Sequence, residues 1–454
     1  MIHLYSDPKK HQTGYLVTIV KPLATLARQR VLDGDRAGAR ELVVQLISEV
    51  TGSAVLDATI NADQYSLNSL NGHAVLEGGE RYFFKFHSEE GEDATITEYY
   101  NAELLRENGY LVDVPVFANG EPGRQILLYS LREDARLADV ARASELGLAE
   151  LADGASVPRH EEIVAAQQDR DRHNLDRLLA TLHPATLAQT SAEPIHQLFH
   201  HRLVTEGVTP GFGGRVATFY IDQDFQLGDL VIPWSELKDL QWSINGVEYA
   251  RTLGSLFDEA GQRLAPELLV ESGAVIAHGD DHNANVWFSR RPEGAELVAF
   301  DPAFAGRHLP TLLADVKATF HNVFAHPLWL YEPAAADAGY TATVVRDGQR
   351  LVIEHSWDLS ELRQAFLESK ESNVWKPLLA ELESRGWLPE DWQRVLRLAL
   401  MMCPTLVMNL RAGAPSGHTP ISSVIAFSQA ISAGSEPANG EDRFSRFFAA
   451  ITPA

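Results

Sequence analysis

One cysteine in 454 residues, Cys403, removes both an intrachain disulfide framework and a zinc site built from several thiolates. It stands in the apolar run Val395–Met408, whose spacing is helical, so a packed thiol is expected there. The same run is too short for a membrane span and is broken by Arg397 and Pro404, so no membrane partner is expected. The first ten residues, Met1 to Lys10, lack a basic segment leading into an apolar core, so no secretory signal is read and a cytoplasmic location is expected. Positive charge is scarce: 38 Lys and Arg stand against 62 Asp and Glu, a formal net charge of −24. A nucleic-acid partner needs a basic footprint for its phosphates and is excluded on that ground. No repeat is visible, and a hydrophobic content of 45% with 22% charged residues is that of a folded globular chain.

What is present is a dense cluster of His, Asp and Asn in the middle of the chain, Val275-Ile-Ala-His-Gly-Asp-Asp-His-Asn-Ala-Asn-Val-Trp-Phe288. Leu297-Val-Ala-Phe-Asp-Pro302 follows it. Two apolar runs of strand length flank the cluster, with Arg290-Arg-Pro-Glu-Gly294 as the turn between them. A hairpin of this kind brings Asp280, Asn285 and Asp301 to one end of its strands. Those three supply a general base and two oxygen ligands for a hard divalent cation, which prefers carboxylate and amide oxygens.

The ordered string His278-Gly-Asp-x-His282-x-x-Asn285, then a strand ending in Asp301, resembles the catalytic loop and metal-binding segment of the aminoglycoside phosphotransferase and choline kinase group. Asp301-Pro-Ala-Phe-Ala305 is closer to the Asp-Pro-Glu-Phe-Ala wording of methylthioribose kinases than to the Asp-Phe-Gly of protein kinases. The resemblance implies an α+β, bilobal protein-kinase-like fold, with a small antiparallel β-sheet N-lobe and a larger, mainly helical C-lobe. It implies Asp280 as catalytic base, Asn285 and Asp301 as Mg²⁺ ligands, and His278 and His282 as loop supports. ATP is the expected phosphoryl donor, with GTP left open because backbone groups read the base. The chain departs from the family pattern at Asp281, where an apolar residue is usual, and at Asn283-Ala284, which replaces Pro-Gly. Asp281 is read as solvent-facing.

The same resemblance divides the chain into an N-terminal helical extension (1–60), a nucleotide-binding N-lobe (61–131) and a C-lobe (132–454). In the extension, Asp35 is a plausible N-cap for a helix through Val50. In the N-lobe, the turn Glu77-Gly-Gly79 joins a strand at Ala74–Leu76 to a strand at Arg81–Phe86. The preceding loop offers Ser66, Asn68 and Ser69 to nucleotide phosphates. Lys85 is a lone lysine in an aromatic strand, where a charge is costly without a partner. Strand alternation could instead put it on a solvent face. In the family reading it contacts the α- and β-phosphates and pairs with a glutamate of the helix Thr97–Asn108, Glu98 by spacing, with Glu103 as runner-up. Tyr129 and Leu131 mark the strand whose backbone would hold the base.

Beyond residue 132 the chain reads mostly helical, at Leu137–Glu150, Glu161–Leu182, Val247–Leu269, Leu359–Ser369, Val374–Arg385 and Trp392–Leu410. Val216–Ile221 reads as a short strand or buried run, and Asp347-Gly348 as a type I′ hairpin turn. The Gly-, Ser- and Pro-rich tail from Ala412 to Gly440 reads as a surface segment. Asp315 is similar in position to a later structural Asp of the family. The function implied is ATP- and Mg²⁺-dependent transfer of a γ-phosphoryl group to a small-molecule hydroxyl on a sugar, amino sugar, aminoglycoside or amino alcohol. Two alternatives stand beside it: a metal-dependent hydrolase using His278, Asp280 and His282, with Asp281 beside them and His321 and His326 as further ligands whose spacing does not suit one helix face, and an inactive nucleotide-binding protein of the same fold.

Overall fold

The structure, a computed structural model, describes residues 22–61, 69–87, 92–204, 212–325 and 327–453. The chain divides into two compact units, one of residues 1–96 with 115–131, the other of 97–114 with 132–454.

The first unit is built on an antiparallel sheet of five strands: β1 (Val55–Ile60), β2 (Ser69–Leu76), β3 (Arg81–His87), β4 (Phe117–Asn119) and β5 (Ile126–Ser130). Their order is β1-β2-β3-β5-β4. Two helices belong with them, α1 (Leu23–Leu32) and α2 (Arg36–Thr51). Asp35 caps α2 by accepting the Gly38 N–H at 2.9 Å, and Gly52, at φ +72°, ends it in the left-handed conformation that a residue without Cβ adopts freely. Leu42, Val43, Leu46 and Ile47 of α2 share one core with Ala58, Ala74, Leu76, Phe84 and Phe86 of the strands. The boundary expected at residue 60 therefore coincides with no change in packing, because β1 is an edge strand of the same sheet. Phe84 and Phe86 are fully buried on one face of β3, and alternation puts Lys85 on the other. Lys85 is itself buried, at 7% exposure, so a solvent-facing position for it is ruled out.

Helix α3 (Glu92–Glu107) starts before the expected Thr97 and stops, as expected, just before Gly109, whose φ is +83°. The second unit is mainly helical around short sheets. The strand Ala274–Ala277 pairs with Gly306–Pro310, and Val286–Arg291 forms a hairpin with Gly294–Ala299, from Val286 opposite Ala299 to Arg291 opposite Gly294. A four-stranded sheet joins Val247–Tyr249, Gln241–Ile244, Arg350–His355 and Ala342–Asp347 in that order.

Four expectations are corrected in this unit. Val216–Ile221 lies mostly in a helix, Gly214–Phe219. The helix expected over Val247–Leu269 is a strand, Val247–Tyr249, then a helix only from Leu253 to Arg263, started by the Thr252 cap and followed by Pro266. Asp347 pairs with Arg350, leaving Gly348-Gln349 as the loop. Only Gly348 of the two has positive φ, which is not the type I′ geometry.

The fourth correction is the largest. The tail contains the helix Pro420–Gly434, in which every residue from Ser422 to Gly434 is buried. Its Ser, Ala and Gly side chains, which resemble loop composition, let it pack closely against the helix Trp392–Val407. A Cβ on Gly434 would lie 2.8 Å from Met401 Sδ and 3.2 Å from Met401 Cβ. Replacing Gly434 by Val is therefore expected to cost ~1–3 kcal/mol by overpacking, measured as the shift in urea unfolding; an unchanged midpoint and slope would contradict this packing.

Candidate active site

The loop from His278 to Asn285 is held partly by bonds within its own sequence and partly by residues brought to it from elsewhere. Gly279 has φ +77°, and a Cβ there would lie 2.9 Å from Phe304 O, so a side chain is excluded on both counts. His278 Nε2 donates to Phe300 O at 2.9 Å, while its Nδ1 accepts the Asp280 N–H at 3.3 Å, a tautomer set by these two partners. His278 thus ties the loop to the segment carrying Asp301. His282 accepts the Ala284 N–H on Nδ1 at 3.3 Å, starting a single 3₁₀ turn over Asn283–Asn285. Its ring stacks on His321 with centroids 4.9 Å apart. Burial, reinforced by the Lys317 charge, lowers the His282 pKa to about 3, so the ring is neutral.

The hairpin then brings the oxygen-bearing groups together. Phe300 N–H donates to Asn285 O at 2.9 Å, one step beyond the Val286–Ala299 pair, so Asn285 and Asp301 flank the hairpin mouth. Asn285 Nδ2 donates to Asp280 O at 2.9 Å. That bond orients the amide and leaves its carbonyl oxygen for another partner. Asp301 has φ +58°, a left-handed conformation rare outside glycine, of the kind that accumulates at functional sites. Asn101 of α3 donates to Pro302 O at 3.0 Å and fixes the next residue. An amide oxygen and a carboxylate are the donor types a hard divalent cation takes, so this set fits Mg²⁺.

Asp280 lies at the centre. Its side chain is 14% exposed, and Oδ1 is buried with no hydrogen-bond partner among the described residues. His282 Nε2 is 3.8 Å from Oδ1 and Lys317 Nζ is 4.0 Å away. Burial raises the Asp280 pKa to about 6, with Lys317 acting in the opposite direction.

Asp281 corrects the solvent-facing expectation. It is buried, accepting from Arg170 Nη2 at 2.7 Å and Asn174 Nδ2 at 3.0 Å. Burial alone would raise its pKa, but the Arg170 guanidinium and the other cations nearby hold it well below the usual carboxylate range. Asp315 is likewise buried. It shares Lys370 with Asp171, each at 2.9 Å from Nζ, and accepts the Thr319 hydroxyl at 2.8 Å.

Lys317, Arg170, Lys370 and Asn101 were not found by sequence reasoning, and His321 entered it only as a possible further ligand of the hydrolase alternative. Lys317 carried a usable signal: it is the only charged residue in the otherwise apolar and neutral run Val316–Phe324, as Lys85 is within Tyr82–Phe86.

Ser66 and Asn68 lie outside the described residues. Ser69 opens β2 opposite His87, and Glu98 lies on α3. Glu103 is ion-paired with Arg106 of its own helix. Tyr129 is buried opposite Phe83, and the Leu131 N–H donates to Arg81 O at 2.9 Å, so hydrogen bonding to a base from Leu131 would fall to its carbonyl.

The hydrolase alternative finds most of its ligands engaged. His278 uses both ring nitrogens and His282 its Nδ1, Asp281 is taken by Arg170, and His321 lies between Lys317 and Tyr331. His326 lies outside the described residues. Among the described residues no group of three or more His, Cys, Asp or Glu is placed to hold a metal, and no helix is long and apolar enough to cross a membrane.

No family model matches the chain, and no curated protein matches it. Among solved structures it is similar to an amicoumacin kinase bound to AMP-PNP and Ca²⁺, at 13% identity over 82% of this chain and 87% of that one, with a TM-score of 0.41. It is also similar to a macrolide 2'-phosphotransferase type I, at 12% identity over 80% of this chain and 97% of that one, TM-score 0.35. A spectinomycin phosphotransferase in complex with ADP and spectinomycin is similar at 12% identity over 86% of this chain and 98% of that one, TM-score 0.35.

The buried cations beneath the loop carry a stability prediction. Lys370→Met leaves Asp171 and Asp315 buried without their shared ammonium and is expected to cost ~3–5 kcal/mol in urea unfolding. A loss below ~1 kcal/mol, the scale of an exposed ion pair, would contradict a dry charge cluster.

Proposed function

We propose that this protein is a small-molecule kinase that transfers the γ-phosphoryl group of Mg²⁺-bound ATP to a hydroxyl group of a sugar, amino sugar, aminoglycoside or amino alcohol in the cytoplasm. The observation that carries this reading is Asp280: a carboxylate secured by its backbone in a loop that also presents Asn285 and adjoins Asp301, yet whose buried Oδ1 has no hydrogen bond among the described residues.

Phosphoryl transfer asks the protein for positioning and charge neutralisation more than for covalent chemistry. Asp280 orients the acceptor hydroxyl and takes its proton as the acceptor oxygen bonds to phosphorus and the bond to the ADP leaving oxygen breaks. A pKa near 6 suits that task, because the carboxylate is ionised at neutral pH and still basic enough to accept a proton. Asn285 and Asp301 are the residues that would hold Mg²⁺, which when bound offsets charge on the phosphates. His278 and His282 keep the loop in shape. Lys85, buried in the first unit, is the phosphate-binding lysine of the reading. Glu98, Ser66, Asn68, Ser69, Tyr129 and Leu131 remain its proposed nucleotide contacts.

The test is ADP release from ATP across a panel of amino sugars, neutral sugars and amino alcohols, with Asp280→Asn as blank. The variant is expected to lose ~10²–10⁴-fold in kcat, the worth of a general base, while calorimetry finds nucleotide affinity unchanged. Wild-type turnover by Asp280→Asn would remove the base role.

A further inference from the structure

The loop that carries Asp280 contains no Lys or Arg from His278 to Val286, yet a cation reaches it from a neighbouring helix. Lys317 is 3% exposed in the otherwise uncharged and buried run Val316–Phe324, where an ammonium is costly without partners. Its Nζ lies 3.0 Å from His321 Nε2 and 4.0 Å from Asp280 Oδ1. His321 Nδ1 in turn lies 2.6 Å from Tyr331 Oη. Burial, then the nearby Lys317 charge, lowers the His321 pKa far below its usual value, so the ring is neutral. A neutral ring here accepts a hydrogen bond from the Lys317 ammonium on Nε2 and donates Nδ1–H to Tyr331, one consistent tautomer for the whole chain of contacts. The backbone is locally adapted as well: the helical segment passes from an α-helical turn, Val316–Thr319, to a π-helical turn, Phe320–Phe324, which places His321 beneath His282. Such turns often occur at functional sites.

We propose that Lys317, held by His321 and Tyr331, is the positioning residue of Asp280: its ammonium holds Oδ1 on the inner side of the loop and so presents Oδ2 to the acceptor hydroxyl. The proposal rests on the kinase reading above. Lys317 is too deeply buried to touch a substrate itself, and acts through the carboxylate. Removing its charge frees the Asp280 side chain to rotate, which affects the chemical step and leaves nucleotide binding alone.

The experiment measures ATP turnover with the best acceptor of the panel for the wild type, Lys317→Met and Lys317→Ala, with melting curves for each. Lys317→Met is expected to lose up to ~100-fold in kcat, the scale of an ångström-level misplacement, with KM for ATP unchanged. Lys317→Ala lacks what amounts to a propylammonium ion, and adding propylammonium is expected to restore kcat in a saturable manner that sodium chloride at equal ionic strength does not reproduce. Tyr331→Phe, which keeps the cation and loosens its support, is expected to fall between the wild type and Lys317→Met and serves if the lysine variants fail to fold. A folded Lys317→Met with wild-type kcat overturns the proposal, as does a Lys317→Ala insensitive to propylammonium or, where neither lysine variant folds, a Tyr331→Phe with wild-type kcat. Absence of ATP turnover by the wild-type chain with every acceptor overturns the kinase reading and this role with it.

Discussion

The candidate site depends on a set of charges that never reach solvent. Arg170, on the helix His160–Thr181, holds Asp281, and Lys370, on the helix Glu361–Lys370, lies between Asp171 and Asp315. Each carboxylate would be too costly to bury alone, and each cation likewise; together they are tolerated only in this geometry. Asp281 is the residue next to Asp280, so the ion pair that satisfies the first sets the backbone of the second. Removing one partner strands the others, which makes the loop position unusually determinate for a segment without regular structure.

Above this layer the loop is closed by short-range devices. The Gly279 turn, the His278 bridge to Phe300 and the His282 cap each bind the loop to itself or to the hairpin end. Every such bond involves a backbone group or an imidazole, so carboxylate and amide oxygens of Asp280 and Asn285 are not used up in holding the structure together. That division leaves the loop rigid while the oxygens of Asp280 and Asn285 stay available to a ligand.

The part of the account legible in the sequence is the part that is local in sequence. Asp280 and Asn285 lie just before one hairpin and Asp301 just after it, so the apolar runs and turn formers read there already put them near one end. Asp35 announced the start of helix α2 by its capping chemistry, and Lys85 was conspicuous among aromatic residues. What could not be read was set by partners far along the chain. Asp281 looked solvent-facing because Arg170 lies 111 residues away, and Lys370 carries nothing local that points to Asp171 or Asp315. The helix Pro420–Gly434 was misjudged for a different reason: Ser, Gly and Ala have one composition whether they form a loop or a closely packed helix, and only the neighbouring helix distinguishes the two.

The central claim is that Asn285 and Asp301 together form a divalent-cation site that acts with nucleotide. Electron paramagnetic resonance of Mn²⁺, titrated into the chain with and without AMP-PNP, tests it directly. The account predicts nucleotide-dependent Mn²⁺ binding by the wild type and its loss in Asp301→Ala with the fold intact. Mn²⁺ binding that is indifferent to nucleotide, or unchanged in Asp301→Ala, would contradict it.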